Sequence, residues 1–299
     1  MKILQSFWTK PFLQSTASLK DARLNGGWPS RKYNYFSWAL SCLQLLKYYR
    51  QVELVTDDLG KFLLIDKLQL PYTGVNVELN ALDNYHPGLW ALGKIYAYQL
   101  QESPFLHVDN DIFIWKEFDE RITHAALTAQ NRESNSAVYA ETFHDIYRQF
   151  KYMPPCLREL EGAPTIPCSN TGIIGGTAGS FFKGYAEEIF AFLQENSDQI
   201  RDNIQNVNTA YLNVIYEQVI FLQLAKDKGL DITYLFPDNH DIPKYLGLFH
   251  AAGRNQGFVH CLGTYKLNRI VYEVLEVKLK TLYPEYYYRI LDLMSSSEI

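Results

Sequence analysis

Apolar positions change their spacing repeatedly along the first third of the chain, and each spacing predicts an element. Lys2-Ile-Leu-Gln-Ser-Phe-Trp8 is a short apolar run with polar breaks, which predicts a first strand. Asn25-Gly-Gly-Trp-Pro-Ser30 reads as a loop. Over 35–49 the apolar groups Phe36, Leu40, Leu43, Leu45 and Leu46 fall at helical spacing. Gln51-Val-Glu-Leu-Val-Thr56 predicts a strand, and Asp57-Asp58 then cap a helix over Leu59–Leu68. Gly74–Leu79 alternates as a strand does, and 88–101 predicts a helix. Pro104-Phe-Leu-His-Val-Asp-Asn-Asp-Ile-Phe-Ile-Trp115 then reads as a buried strand interrupted by two carboxylates.

The second half is more mixed. Strands are expected at Ala125–Gln130, Ser169–Gly176, Asp231–Phe236 and Gly257–Leu262, and helices at 178–195, 206–228 and 268–292. Residues 132–166 read as irregular and partly helical, with Pro154, Pro155 and Pro164 as breakers, and the Ser-rich end as frayed. Strands alternating with helices predict an α/β protein with a mixed, mostly parallel sheet flanked by helices. The chemistry of such a sheet belongs at the carboxyl ends of its strands. With no repeats and no low-complexity linker, 299 residues are expected to form a single domain.

Composition narrows the function classes. A net charge of −5 and the lack of a Lys/Arg run argue against nucleic acid as a partner. Twenty-two tyrosines offer platforms for sugars or bases, but core packing accounts for most of such rings. Cys42, Cys156, Cys168 and Cys261 have neither C-x-x-C nor zinc spacing, so free thiols in a reducing compartment are expected. The N-terminus lacks a secretory apolar core and no apolar run is long enough to span a bilayer, which predicts a cytoplasmic protein without a membrane span.

Asp109 and Asp111 carry the sharpest chemistry. In an extended segment alternate side chains face one way, so the two carboxylates point together, with His107 deeper on the same face. Buried carboxylates are costly unless paired or bound to metal, and hard divalent cations take oxygen ligands. The competing reading is an Asx turn between two strands. His107 reads as a satisfied core histidine.

Beyond these residues, the order of four segments resembles a GT-A (Rossmann-like) glycosyltransferase, nearest the glycogenin/galactinol-synthase-like, family 8-like group. Lys94 precedes the apolar strand Phe105-Leu-His-Val-Asp-Asn-Asp111. Ser169-Asn-Thr-Gly-Ile-Ile-Gly is similar to the strand that lines the donor sugar, Glu217-Gln218 to the acidic-Gln pair near the acceptor, and His260-Cys-Leu-Gly-Thr-Tyr-Lys266 to His-x-x-Gly-x-x-Lys. Leu267-Asn268 stand where that group has Pro-Trp.

The resemblance implies a GT-A domain over 1–270, with 271–299 a helical extension packed on it. It implies a UDP-sugar donor and Mn²⁺ or Mg²⁺ held by Asp109, Asp111 and His260. Ser6, Trp8, Lys94, Gly172, Gly263 and Lys266 would contact the donor, with Trp8 stacking on the base. Lys266, Glu217 and Asn170 would serve the reaction, a hexosyl transfer with retention to an unidentified glycan, lipid-linked glycan, peptide or small molecule. Bland readings stay open: Lys94 as a solvated helix residue, Glu217 as exposed on an amphipathic helix, Asn170 and Gly172 as turn chemistry. Gly175-Gly176 could cradle an anion or simply turn the chain, and Asp57-Asp58 suffice as caps. Two rival functions remain. Gly26-Gly27 with Arg31-Lys32 faintly resembles the triphosphate loop of a sugar nucleotidyltransferase, and a catalytically inactive nucleotide-binding protein would keep the same fold.

Overall fold

The computed structural model describes residues 1–13, 25–134, 137–203, 209–236, 246–254 and 256–299. The first residues of the expected 206–228 helix, 206–208, lie outside that set. Nine strands form among the described residues: β1 (Lys2–Phe7), β2 (Val52–Thr56), β3 (Gly74–Asn76), β4 (Phe105–Val108), β5 (Ile112–Ile114), β6 (Leu127–Ser134), β7 (Pro167–Gly176), β8 (Ile232–Tyr234) and β9 (Phe258–His260). The main helices are α1 (Arg31–Tyr48), α2 (Leu92–Gln99), α3 (Ala137–Gln149), α4 (Gly179–Glu195), α5 (Thr209–Val214), α6 (Ile220–Asp227), α7 (Arg269–Leu282) and α8 (Pro284–Ser295). The class is α/β as expected, with parallel pairs β1–β2, β2–β3 and β6–β8 and an antiparallel pair β6–β7. Its contacts divide the chain into two compact units, 1–83 with 108–118 and 241–299, and 84–107 with 119–240.

In the first unit β1, β2 and β3 lie in parallel, in register from Ile3 opposite Val52 and Glu53 opposite Gly74. Helix α1 is buried without interruption from Asn34 to Leu45, so its apolar groups meet neighbours on several sides. Helices α7 and α8 pack on it. Trp28, Phe36, Phe113, Leu275, Leu279 and Ile290 meet in this core, each at most 1% exposed. Burial of each such side chain stabilises the unit by roughly 1.5–3 kcal/mol. The expected 268–292 helix is two helices. Tyr283 has left helical geometry (φ −142°, ψ 63°), and Pro284, which cannot donate a backbone bond, opens α8 in the first turn.

In the second unit β7 runs antiparallel to β6, and the register slips between Ala129 and Asn131. Helix α4 packs against α2 and α6, where Phe181, Phe182, Tyr185 and Phe221 form a ring cluster. Gly175 and Gly176 are packing glycines: a Cβ would come within 2.1 Å of the Phe105 and Ala126 carbonyls respectively. That favours the plain-turn reading over an anion cradle, and α4 begins only at Gly179.

The Asp-rich segment departs from the single strand expected. β4 ends at Val108, Ile112 N–H bonds the Asp109 carbonyl at 3.1 Å, and β5 starts at Ile112. Asp109-Asn110-Asp111 is a tight turn, as the Asx reading held. Turn and metal chemistry do not exclude one another here, because the turn is what presents the carboxylates.

Candidate metal centre

Two neighbours in the first unit fix the Asp109–Asp111 turn. The first is a polar stripe on α1. Asn34, Ser37, Ser41, Gln44 and Tyr48 follow one another at steps of three or four, so they share one helix face. Ser37 Oγ donates to the Asn110 carbonyl at 2.8 Å, Ser41 Oγ to Ile112 at 2.8 Å, Gln44 Nε2 to Ile114 at 2.8 Å and Tyr48 Oη to Trp115 at 2.6 Å. Gln5 Nε2 extends the set inward, donating to Ser41 Oγ at 2.9 Å and to the Val108 carbonyl at 3.2 Å. One edge of the segment is therefore satisfied by side chains instead of a neighbouring strand, which answers the requirement that buried carbonyls be paired.

The second neighbour is β9. It pairs antiparallel to β5 with Ile112 opposite His260, and Cys261 N–H donates to the Asp111 carbonyl at 3.0 Å. This pairing carries an imidazole 149 residues downstream to the end of the acidic turn. Gly263 follows with φ +55° and turns the chain so that Lys266 returns to the same place. A Cβ at Gly263 would meet nothing within 4 Å, so the backbone angle, and not room, is what asks for glycine.

Asp109, Asp111 and His260 each present a ligand atom, all within 4.8 Å of one another. Asp111 Oδ1 is 3.3 Å from His260 Nε2, and Asp111 Oδ2 is 2.6 Å from Lys266 Nζ. Burial by itself would raise the Asp111 carboxyl, but Lys266 and His260 outweigh it and hold the group well below the usual carboxylate range. Asp111 is therefore ionised at neutral pH. Its Oδ1 is buried and takes no well-aligned hydrogen bond. An orphaned buried carboxylate oxygen beside an imidazole and a second carboxylate suits a divalent cation. Neighbouring ligands of an octahedral ion with bonds of about 2.1 Å stand about 3 Å apart, close to the Asp111–His260 separation.

The other residues expected from sequence in this unit fall as follows. Ser6 is half-buried in β1. Trp8 is 5% exposed with its indole N–H unpaired, so its ring presents little area for stacking. Asp57 does more than cap: Oδ1 takes Gly60 N–H at 2.7 Å, while Oδ2 takes the Thr9 N–H at 2.7 Å and hydroxyl at 2.8 Å, tying the end of β1 to the helix after β2.

The second unit holds its own polar cluster. Lys94 Nζ on α2 is 2.5 Å from Glu217 Oε1, which also accepts from Thr171 Oγ1 at 2.7 Å. Glu217 is fully buried, so the exposed-helix reading is corrected: it sits in the widened π turn Ile215–Val219 between α5 and α6, a distortion that often marks function. Its Oε2 is buried without a hydrogen bond. Lys94 is likewise no solvated residue, with its side chain 12% exposed. Asn170 and Gly172 lie inside β7 and not in a turn: Asn170 Oδ1 accepts from Gly172 N–H at 3.0 Å, and Nδ2 donates to Glu133 Oε1 at 2.9 Å. His107 is a core residue beside Tyr98, and burial, helped by the Lys94 charge, pushes its pKa well below the ordinary value.

Residues 1–293 match a protein family described as "Family of unknown function (DUF6734)". The chain belongs to that family. No functionally curated protein matches it. Among solved structures it is similar to the bifunctional glycosyltransferase WbbM (12% identity, TM-score 0.44, 96% of this chain and 51% of that one) and to the glycosyltransferase GlyE of Streptococcus pneumoniae TIGR4 (10%, 0.43, 99% and 63%). It is also similar to the inositol-1-phosphate CTP transferase of T. maritima (12%, 0.37, 94% and 96%). The chain spans about half the length of WbbM and under two thirds of GlyE. Superpositions this loose carry no argument about chemistry. Among the described residues, no helix is long and apolar enough to cross a membrane.

Sequence reading missed two parts of the centre. The α1 stripe was visible as five polar residues at helical spacing inside an apolar helix. Gly26-Gly27-Trp28, read only as a loop or a triphosphate echo, lies against Lys266, whose Nζ donates to the Gly26 carbonyl at 2.8 Å. No local signal joins residues 240 positions apart.

Proposed function

We propose that this chain is a divalent-cation-dependent transferase that moves a hexose from a nucleotide sugar, a UDP-sugar, to an acceptor, with retention of configuration. The observation that carries this reading is the convergence of Asp109, Asp111 and His260 with the Lys266 ammonium, 2.6 Å from Asp111. Asp109, Asp111 and His260 would hold Mn²⁺ or Mg²⁺, which supplies Lewis-acid neutralisation of a diphosphate. Lys266 would donate to the departing nucleoside diphosphate and stabilise the charge that develops as the glycosidic C–O bond breaks. Ser41, Ser37 and Gln44 hold the acidic turn so that its carboxylates need not reorganise on binding. In the second unit, the unbonded Glu217 Oε2 is suited to accept from a sugar or acceptor hydroxyl, with Lys94 paired to the other oxygen of the carboxylate. Roles for Ser6, Trp8, Asn170 and Gly172 in donor binding rest on the resemblance alone.

A second reading, sugar nucleotidyl transfer, is favoured by one observation: the Gly26-Gly27 turn lies against Lys266. Thermal-shift titration with UDP, UDP-sugars and UTP, with and without Mn²⁺, tests the class. A manganese-dependent rise in Tm with UDP-sugars, lost in Asp111→Asn, supports glycosyl transfer. Pyrophosphate release from UTP and a sugar 1-phosphate would support the second reading. No shift with any nucleotide would refute both.

A further inference from the structure

The Asp111 carboxylate already has a cation, and that cation belongs to the chain. Lys266 Nζ lies 2.6 Å from Asp111 Oδ2, donates to the Gly26 carbonyl at 2.8 Å, and sits 5.7 Å from the centre of the Trp28 ring. Both partners are nearly dry, with side chains 12% and 9% exposed. The turn is shaped to this lysine. Gly26 and Gly27 hold φ of +63° and +86°, conformations that side chains disfavour, and a Cβ on Gly27 would press to 3.1 Å of Lys266 Cδ. Trp28 is fully buried beneath it, which fixes the turn to the core.

We propose that Lys266 is a resident counter-charge that a divalent cation must displace, so that cation arrival frees the ammonium from Asp111 and from the Gly26–Trp28 turn. The inference rests on the functional reading above and deepens it. A divalent ion bound at Asp111 Oδ1 and His260 Nε2 would face the ammonium across the width of one carboxylate, where two cations repel strongly in a dry setting. Lys266 has four flexible methylenes and can leave, whereas the turn-bound carboxylates cannot. An incoming diphosphate offers it a new anion. Lys266 therefore opposes the bare cation and favours the cation together with the nucleotide, which makes the two bind cooperatively. The role of the Gly26–Trp28 turn is to store the ammonium until then.

Mn²⁺ titration of the full-length chain, followed by the spectrum of free Mn²⁺, tests this without turnover. Lys266→Met is expected to bind Mn²⁺ at least tenfold more tightly than wild type when no nucleotide is present. UDP is expected to tighten Mn²⁺ binding in wild type and to do so far less in the variant. Lys266→Gln repeats the test with a polar side chain should the methionine variant fold poorly. Trp28 gives a second readout: Mg²⁺, at a concentration that displaces bound Mn²⁺, should change the emission of wild type but not of Trp28→Phe. Equal or weaker Mn²⁺ binding in both Lys266 variants, or no Trp28-dependent change, overturns the inference and leaves the metal centre standing. A wild-type chain that binds no Mn²⁺ overturns the functional reading as well.

Discussion

Ser41 Oγ donates to the Ile112 carbonyl at 2.8 Å and accepts from Gln5 Nε2 at 2.9 Å, so one buried hydroxyl joins β1, α1 and the acidic turn. Tyr72 Oη closes the chain of bonds by donating to Gln5 Oε1 at 2.7 Å. Ser41→Ala removes the side-chain donor to the buried Ile112 carbonyl and one of the two acceptors of the Gln5 amide, which keeps its bond to Val108, at a cost of about 1–3 kcal/mol. Urea unfolding should show that loss, and Mn²⁺ affinity should fall with it because the turn is less firmly held. Unchanged stability would mean that water takes over the bonds and that the stripe is incidental.

The Lys94–Glu217 pair lends itself to a double-mutant cycle. Glu217→Leu removes the anion paired with an ammonium whose side chain is 12% exposed, and Lys94→Met removes the cation paired with a carboxylate that is 1% exposed. Each single change is expected to destabilise by about 3–5 kcal/mol, whereas the double variant should recover most of it. Additive losses would show that the two groups do not compensate one another.

His107 sets a pH dependence of stability. Burial keeps it neutral in the fold, with a pKa well below 6.5, while the unfolded chain takes up the proton near 6.5. Below that pH the unfolded state binds more protons, so stability falls as pH falls, by at most about 1.4 kcal/mol per unit, and is flat with respect to this group above 6.5. Asp111, also depressed, adds loss in the same direction only below the ordinary carboxylate range. His107→Gln should flatten the profile between pH 6.5 and 5, read from urea midpoints. A variant with the wild-type slope would assign the effect elsewhere.

All four cysteines are free and buried, and burial pushes the Cys156 thiol up to about 12. A disulfide reagent at pH 8 should react slowly with the native chain and rapidly with four thiols once it is unfolded. Fast reaction of the native chain would place a cysteine at the surface.

How far the sequence announced this arrangement depends on the range of the interaction. The helical spacing of Phe36, Leu40 and Leu43 announced α1, and the apolar runs around Asp109 and Asp111 announced β4 and β5, because both are local patterns. The break at Asp109–Asp111 was legible only as an alternative, since Asx residues serve turns and metals alike. His260 and Lys266 were recognisable by their own spacing. The β5–β9 pairing that delivers them was not, because a three-residue ladder between distant segments leaves no periodic trace. Glu217 was misjudged in one of its readings for a related reason. A glutamate in a helix is usually solvated, and nothing near it in sequence shows that Lys94 and Thr171 are there to receive it.

The most direct test is anomalous scattering at the manganese edge from crystals soaked in Mn²⁺. The account predicts one strong peak bonded to carboxylate oxygens of Asp109 and Asp111 and to His260 Nε2, absent from Asp111→Asn crystals. A peak lying elsewhere, or none in wild-type crystals that still diffract, would contradict it.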